Sequence, residues 1–392
     1  MNSVIVPGPP PPMPVPTPPV PLWPNFNGQW VGALGGETPG LGVVELESEG
    51  GWVSGTAYLY PYDQTIVPAA IRLGFPATFG PHQFNNLPVT AFAPDLGQSI
   101  NRQQMNSLYP LSDVAETATA TLTIMADSVF VMFQSPKTSG WGSLARAHSQ
   151  SSGLVPFFVP TWAGFRTWLH DWEGRQSFVF RGQGDSAWPL RTSFHRSNKK
   201  NLEQYTSTSV PEAYQALANK LTDKLDLSKR ADLWTFMSHL QHHGYPTPLL
   251  DWTESAWVAA YFAFENAPVR PDGLVRIYAF DRAGWQAMLQ QEELTMTRPH
   301  LSFLKNIVAR GNDRAGPQKS IFTVTNVDDI EAHIIATEQR HNRRFLFAID
   351  IPNSARRQAL AGLDDIGYNR GVLFPDADGI CRTMKSKHFG ID

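Results

Sequence analysis

A chain with one cysteine, Cys381, has no intrachain disulfide and no zinc centre built on thiolates. No apolar run approaches the ~18 residues that a membrane helix requires. The N-terminus has neither the basic start nor the apolar core of a secretory signal. The expectation is a cytoplasmic protein that does not engage the membrane. Charge is also sparse: 17% of residues are charged and the net charge is -3. That excludes a strong overall attraction to nucleic acid. No phosphate-cradling Gly-rich loop of the nucleotide-hydrolase type is present, no Gly-x-Ser-x-Gly elbow, and no Glu-containing His pair of the metallopeptidase type.

Proline is plentiful, with 32 residues, and it is concentrated at the start. Pro9 to Pro12 and the alternation Pro14, Pro16, Pro18 cannot join helices or ladders, because proline has no N–H. Residues 1–25 therefore read as an extended arm. It is either a solvated spacer or a segment that docks a partner with an SH3-like groove.

From Phe26 to about residue 150 the pattern is short alternating runs broken by glycine. Gln29–Gly32, Gly42–Leu46, Trp52–Tyr60, Ala118–Ile124 and Val129–Phe133 all read as strands. Glu49-Gly50-Gly51 and Ala126-Asp127-Ser128 read as hairpin turns. Helical periodicity is nearly absent, so this is an all-β barrel or sandwich. Its Gly28-x-Trp30-x-Gly32 opening is loosely similar to the first strand of lipocalin- or avidin-like barrels. A ligand-binding barrel and a sensing or structural module are both open.

A Ser/Gly/Pro-rich loop, Ser149 to Pro160, separates this unit from residues 160–392, which mix helices and strands in an α+β layout. Strands are expected at Ser177–Arg181, Leu274–Phe280, Ile321–Thr325, Phe345–Ile351 and Gly371–Phe374. Helices are expected near Trp285–Gln291, Leu301–Ala309, Asp328–Gln339 and Ser354–Ile366. Ser209-Val210-Pro211-Glu212 reads as a capping box that starts a helix. Glu254 to Phe264 is apolar nearly all round, so it reads as a buried helix.

Two segments gather the polar groups. Arg181 ends an apolar strand, and its planar fork suits a phosphate; the alternative is a structural pair with Asp185 or Asp251. Gly182 permits close approach of a ligand to the backbone. His243 falls on the apolar stripe of Phe236 and Leu240, so it is expected to point inward, held by backbone or by Asp251. Thr247, between two prolines, is rigidly placed. Asp251 and Thr253 stand where either can cap the apolar helix, with Glu254 in its first turn. Arg314 and Gln318 precede a strand and by themselves read as loop residues.

Phe180-Arg181-Gly182-Gln183, Trp188-x-Leu190, His195-Arg196 and Gln241-His242-His243-Gly244-x-Pro246-Thr247-x-Leu249-Leu250-Asp251-Trp252-Thr253 together resemble the FRG domain. Arg314-x-x-x-Gln318-x-x-x-Phe322 and Leu373-Phe374-Pro375-Asp376-x-Asp378-Gly379 resemble later parts of that family. Pro248 and Ser320 depart from its usual arginine and glycine. The order of features is in turn similar to that of ADP-ribosyltransferases. That resemblance implies NAD as substrate and a macromolecular acceptor, protein or nucleic acid, in a toxin or phage-defence setting. It implies that Arg181 holds the phosphate or nicotinamide ribose, with Gly182, His243, Thr247 and Arg314 also around the NAD. Thr253 would build the nicotinamide pocket, Asp251 would orient it, and Gln318 would stand where those enzymes carry a glutamate. Because an amide is weaker there than a carboxylate, the acid–base role moves to Glu338, Glu254 or Asp251. Two other readings are a nuclease or hydrolase built on His243, Asp251 and Glu254, and a non-catalytic module that grips a ligand through Arg181.

Overall fold

The computed structural model describes residues 26–93, 98–147, 152–170, 177–197, 199, 202–221, 224–268, 272–289, 299–304 and 314–389. The proline arm lies outside them. The first unit runs β1 (Gly28–Gly36), β2 (Gly40–Glu49), β3 (Trp52–Pro61), β4 (Ala69–Pro76), β5 (Gly80–Ala93), β6 (Gln98–Ser99), α1 (Arg102–Leu108), β7 (Thr117–Ile124), β8 (Ser128–Gln134) and β9 (Ser139–Arg146). Each strand pairs antiparallel with its neighbour, β5 passes to β7, and β9 returns to β1. Eight strands thus close a barrel, with β6 added on β5, and closure leaves no long open edge. Of the two architectures open in the sequence, the barrel is the one formed.

Alternation sends Val44 and Leu46 of β2, Leu122 and Ile124 of β7, and Leu144 of β9 into the interior. Phe26, Trp30 and Phe75 pack one end of it. The Arg146 guanidinium lies 5.2 Å over the Trp30 ring and donates to the Asn27 carbonyl at 2.7 Å, sealing that base. Gly50 and Gly51, both at positive φ (59° and 83°), make the tight turn from β2 to β3.

The second unit contains β10 (Phe157–Phe158), α2 (Trp162–His170), β11 (Phe178–Gln183), α3 (Ser193–Arg196), α4 (Leu202–Gln204), α5 (Val210–Leu217), α6 (Arg230–His242), β12 (Leu249–Thr253), α7 (Ala256–Glu265), β13 (Leu274–Asp281), α8 (Arg282–Leu289), β14 (Leu301–Phe303), β15 (Ser320–Thr325), α9 (Ile330–His341), β16 (Leu346–Pro352), α10 (Arg356–Asp365), α11 (Arg370–Leu373) and α12 (Ala377–Phe389). Its sheet has the order β10-β16-β13-β11-β12-β15-β14. Among the described residues only the β10–β16 pairing is parallel. Strand β13 is covered on both faces. Val275, Ile277 and Ala279 join α2, α7 and α10 in one core, while Tyr278 and Phe280 join α8 and α9 in another. A third core gathers α4 to α6 against Leu249 of β12 and Phe322 and Val324 of β15. The α+β layout holds.

Four local expectations give way. Leu301–Phe303 is a strand, paired with β15, because its three side chains are all buried in the sheet edge; residues 305–313 lie outside the described residues. Gly371–Phe374 falls on the short helix α11, capped by the Asn369 side chain, which accepts from Val372 N at 3.0 Å. Ser209 makes no capping bond, because the helix already runs through it from α4 by a π-helical turn, Tyr205–Ser209. That wide turn ends just before Pro211, which has no N–H to give one turn back. The second unit also starts earlier than residue 160: the Ser152 hydroxyl donates to Glu331 at 2.7 Å, within the network of the buried Arg276–Asp350 pair.

The two units touch through a buried amide. Gln29 on β1 donates to Glu45 at 2.9 Å and to the Asn326 carbonyl at 2.8 Å, and accepts from Asp328 N at 3.4 Å. Among the described residues no helix is long and apolar enough to cross a membrane.

Candidate functional site

The seven-stranded sheet has a weak seam. Strands β11 and β12 pair at one position, Phe180 with Thr253, whereas β11–β13 and β12–β15 are laddered along their length. Past that rung the two strands diverge, and a wedge-shaped cavity of about 360 Å³ opens there. Its size is at the lower end of the roughly 300–1,000 Å³ of small-molecule sites.

Arg181 bridges the wedge. Its Nη1 donates to the Asp251 main-chain carbonyl at 2.7 Å. The expected structural pair is therefore a main-chain contact: among the described residues Arg181 makes no ion pair, and its buried Nε has no hydrogen-bond partner. Burial pushes the guanidinium below its ordinary value, and Asp251 pulls it back. It stays protonated throughout the working range.

Asp251 is exposed, and its carboxylate opens onto the cavity beside Arg181 and Gln241. Burial pushes its pKa up, against the pull of Arg181 and of the Gln241 hydrogen bond. Gln241 Nε2 donates to Asp251 Oδ2 at 2.6 Å, and Gln241 Oε1 accepts from the Thr247 hydroxyl. Thr247 N donates to Ser193 Oγ at 2.9 Å. A hydrogen-bonded chain thus runs from α3 through Thr247 and α6 to the carboxylate. Thr247 is fully buried and stands behind Gln241, outside the cavity wall. It positions a neighbour and does not present its hydroxyl to a ligand.

The other wall brings Thr253, Arg314 and Gln318 to the same cavity. The Thr253 hydroxyl donates to the Gln318 carbonyl at 2.7 Å and accepts from Ser255 N at 3.1 Å, so it locks the turn before α7. Gln318 Nε2 donates to the Leu373 carbonyl at 2.9 Å, leaving its Oε1 without a donor among the described residues. Arg314 is paired with Asp376 (Nε–Oδ2 2.8 Å) and stacks 5.0 Å over Phe374. Backbone donation from Gly379, then Arg314, hold Asp376 below its usual range. Gly182 lines the cavity, yet its main service is to α7: a Cβ there would stand 1.9 Å from the Ala259 carbonyl.

Two side-chain placements differ from the sequence reading. His243 is exposed and off the cavity wall, whereas His242 lines it. Helix α6 ends at His242, His243 is its C-cap (φ -92°, ψ 13°), and Gly244 at φ 80° turns the chain, so helical spacing no longer sets where His243 points. Burial, then Arg314 and the two neighbouring histidines, hold His242 below its ordinary value. The cap of α7 is Ser255, which accepts from Val258 N; Asp251 and Thr253 lie in β12.

Of the three carboxylates named for acid–base work, Asp251 alone reaches the cavity. Glu254 pairs with Arg282 at 3.2 Å, and Glu338 accepts from the amides of Phe345 and Leu346. A hydrolase centre of His243, Asp251 and Glu254 is therefore not assembled, and among the described residues no group of three or more His, Cys, Asp or Glu could hold a metal ion. Sequence reasoning missed Gln241, His242 and the aromatic wall. Ser238, Gln241 and His242 share a helix face at i, i+3 and i+4, a signal available in the spacing. Phe262 and Phe374, 5.9 Å apart and edge to face, come from segments too distant for any pattern to join.

The FRG domain family model matches residues 176–270, within the C-terminal part of the chain. The match includes Arg181, Gln241, His242, Asp251 and Thr253; Arg314, Gln318 and Phe374 lie beyond it. No curated protein and no solved structure matches the chain.

Proposed function

We propose that the unit carrying the FRG domain transfers ADP-ribose from NAD to a macromolecular acceptor, as an effector in a toxin or phage-defence setting. The observation that carries this reading is the meeting of Arg181 and Asp251 in one cavity, with Gln318 on its far wall. Arg181, with no carboxylate partner among the described residues, offers its charge to the diphosphate. Phe262 and Phe374 give a flat ring an apolar seat. The bond from the ribose to the nicotinamide nitrogen breaks, and its electron pair leaves with nicotinamide. The acceptor's nucleophile attacks the oxocarbenium-like carbon and loses its proton to the Asp251 carboxylate. A carboxylate with a raised pKa is a better base than an ordinary one. Its charge also stabilises the cationic ribose where Gln318 offers only an amide.

The test is purified full-length protein with radiolabelled NAD and a cell extract. Label is expected to pass to a macromolecule with release of nicotinamide, and Arg181→Ala is expected to lower the rate by about tenfold to a hundredfold, the range of a lost charge-assisted contact. If the wild-type protein neither moves label nor releases nicotinamide, the transferase reading fails. Retained NAD binding without turnover would instead favour the ligand-gripping module.

A further inference from the structure

We infer that the barrel is a receptor for a small, uncharged, apolar molecule about the size of one benzene ring. This does not depend on the chemistry proposed for the other unit. The barrel interior is unevenly filled. Its base is packed by Phe26, Trp30 and Phe75, but towards the other end the inward positions carry Gly42, Ala57 and Ala118. These small side chains leave a cavity of about 130 Å³ between walls of hydrocarbon, among them Val44, Ile71, Val131 and Leu144. An apolar cavity of roughly 150 Å³ in another protein stays dry and takes up benzene.

The void is held open by its mouth. Lys137 and Asp113 pair across the rim at 2.8 Å, and Arg102 adds a second cation to Asp113 at 3.1 Å. Thr138 donates its hydroxyl to Thr38 at 2.8 Å, and Ser135 accepts from the amides of Lys137 and Thr138. A rim fixed in this way keeps the walls from collapsing inward. Lining atoms that face a void forgo dispersion contacts, and a ligand restores them. Among the described residues, the charged side chains on the wall are Asp113 and Lys137, which neutralise each other and leave no unpaired charge there for an ionic headgroup. The chemistry selects a neutral aromatic or short alkyl compound.

The experiment uses the full-length chain with toluene as probe, followed by methyl NMR. Intermolecular contacts are expected to the methyls of Val44, Ile71, Val131 and Leu144. Ala57→Leu fills the void and is expected to weaken toluene binding by about tenfold or more, a loss of about 1.4 kcal/mol. Hexanol is expected to compete with toluene, and hexanoate much less well. Absence of contacts to those methyls in the wild-type protein overturns the proposal, whatever the variant does. Unchanged toluene binding by folded Ala57→Leu overturns it too, and equal competition by hexanoate overturns the assignment to an uncharged ligand.

Discussion

Arg181 and Asp251 meet in an uncommon way: the cation takes the main-chain oxygen of the acid and leaves both side chains turned to the same space. The acid is the less comfortable of the two. Its folded pKa lies above the ordinary 3.8, so the folded chain holds the proton to higher pH than the unfolded chain does. The stability this contributes is complete below 3.8 and is lost as pH rises through the folded value. At neutral pH the ionised group costs some stability, an effect that its exposure to the cavity screens. Asp251→Asn is therefore expected to raise the melting temperature at neutral pH, with the gain shrinking towards pH 3.8, while the proposed NAD turnover is lost. Thermal denaturation across pH checks this; a lower melting point at neutral pH counts against it. At this scale the sequence was a good guide to residue type and a poorer one to direction. Arg181, Asp251, Thr253, Arg314 and Gln318 all reach the cavity, but Thr247 turns its hydroxyl to Gln241 and His243 faces outward. Such choices are made by neighbours from distant segments, which spacing does not encode.

Between elements, the decisive contact is β11 against α7. Gly182 lets the strand lie directly on the helix, with the Ala259 carbonyl and the Ala263 amide where a side chain would be. Gly182→Ala is expected to cost about 1–3 kcal/mol by overpacking. A urea midpoint unchanged from wild type would refute that, and a shift should be accompanied by a weaker form of the proposed NAD consumption because β11 carries Arg181. Elements with strong periodicity were legible: β1, β2, β3, β7, β8 and the wholly apolar α7 stand where the pattern put them, whereas β4, β5 and β9 went unread. Short elements were not. Leu301–Phe303 and Arg370–Leu373 are three and four residues long. Over such lengths sheet pairing or a single cap outweighs intrinsic preference.

For the molecule as a whole, Gln29 is one of the polar contacts between the two units, beside the Lys199–Glu47 pair at 3.5 Å. Gln29→Leu leaves the Glu45 side chain, the Asn326 carbonyl and the Asp328 amide short of one partner each. The expected loss is about 1–3 kcal/mol. Adding Glu45→Leu should cost less than it does alone, since the two side chains share one interaction. Full additivity in calorimetry would argue against the bridge. The lone rung joining Phe180 to Thr253 has a different kind of consequence. It partitions the second sheet into a four-strand and a three-strand block, β10-β16-β13-β11 and β12-β15-β14. Amide protons on the two blocks should then exchange with solvent as two separate cooperative groups. A molecule lodged at the seam would tie them together, and the two exchange rates would converge.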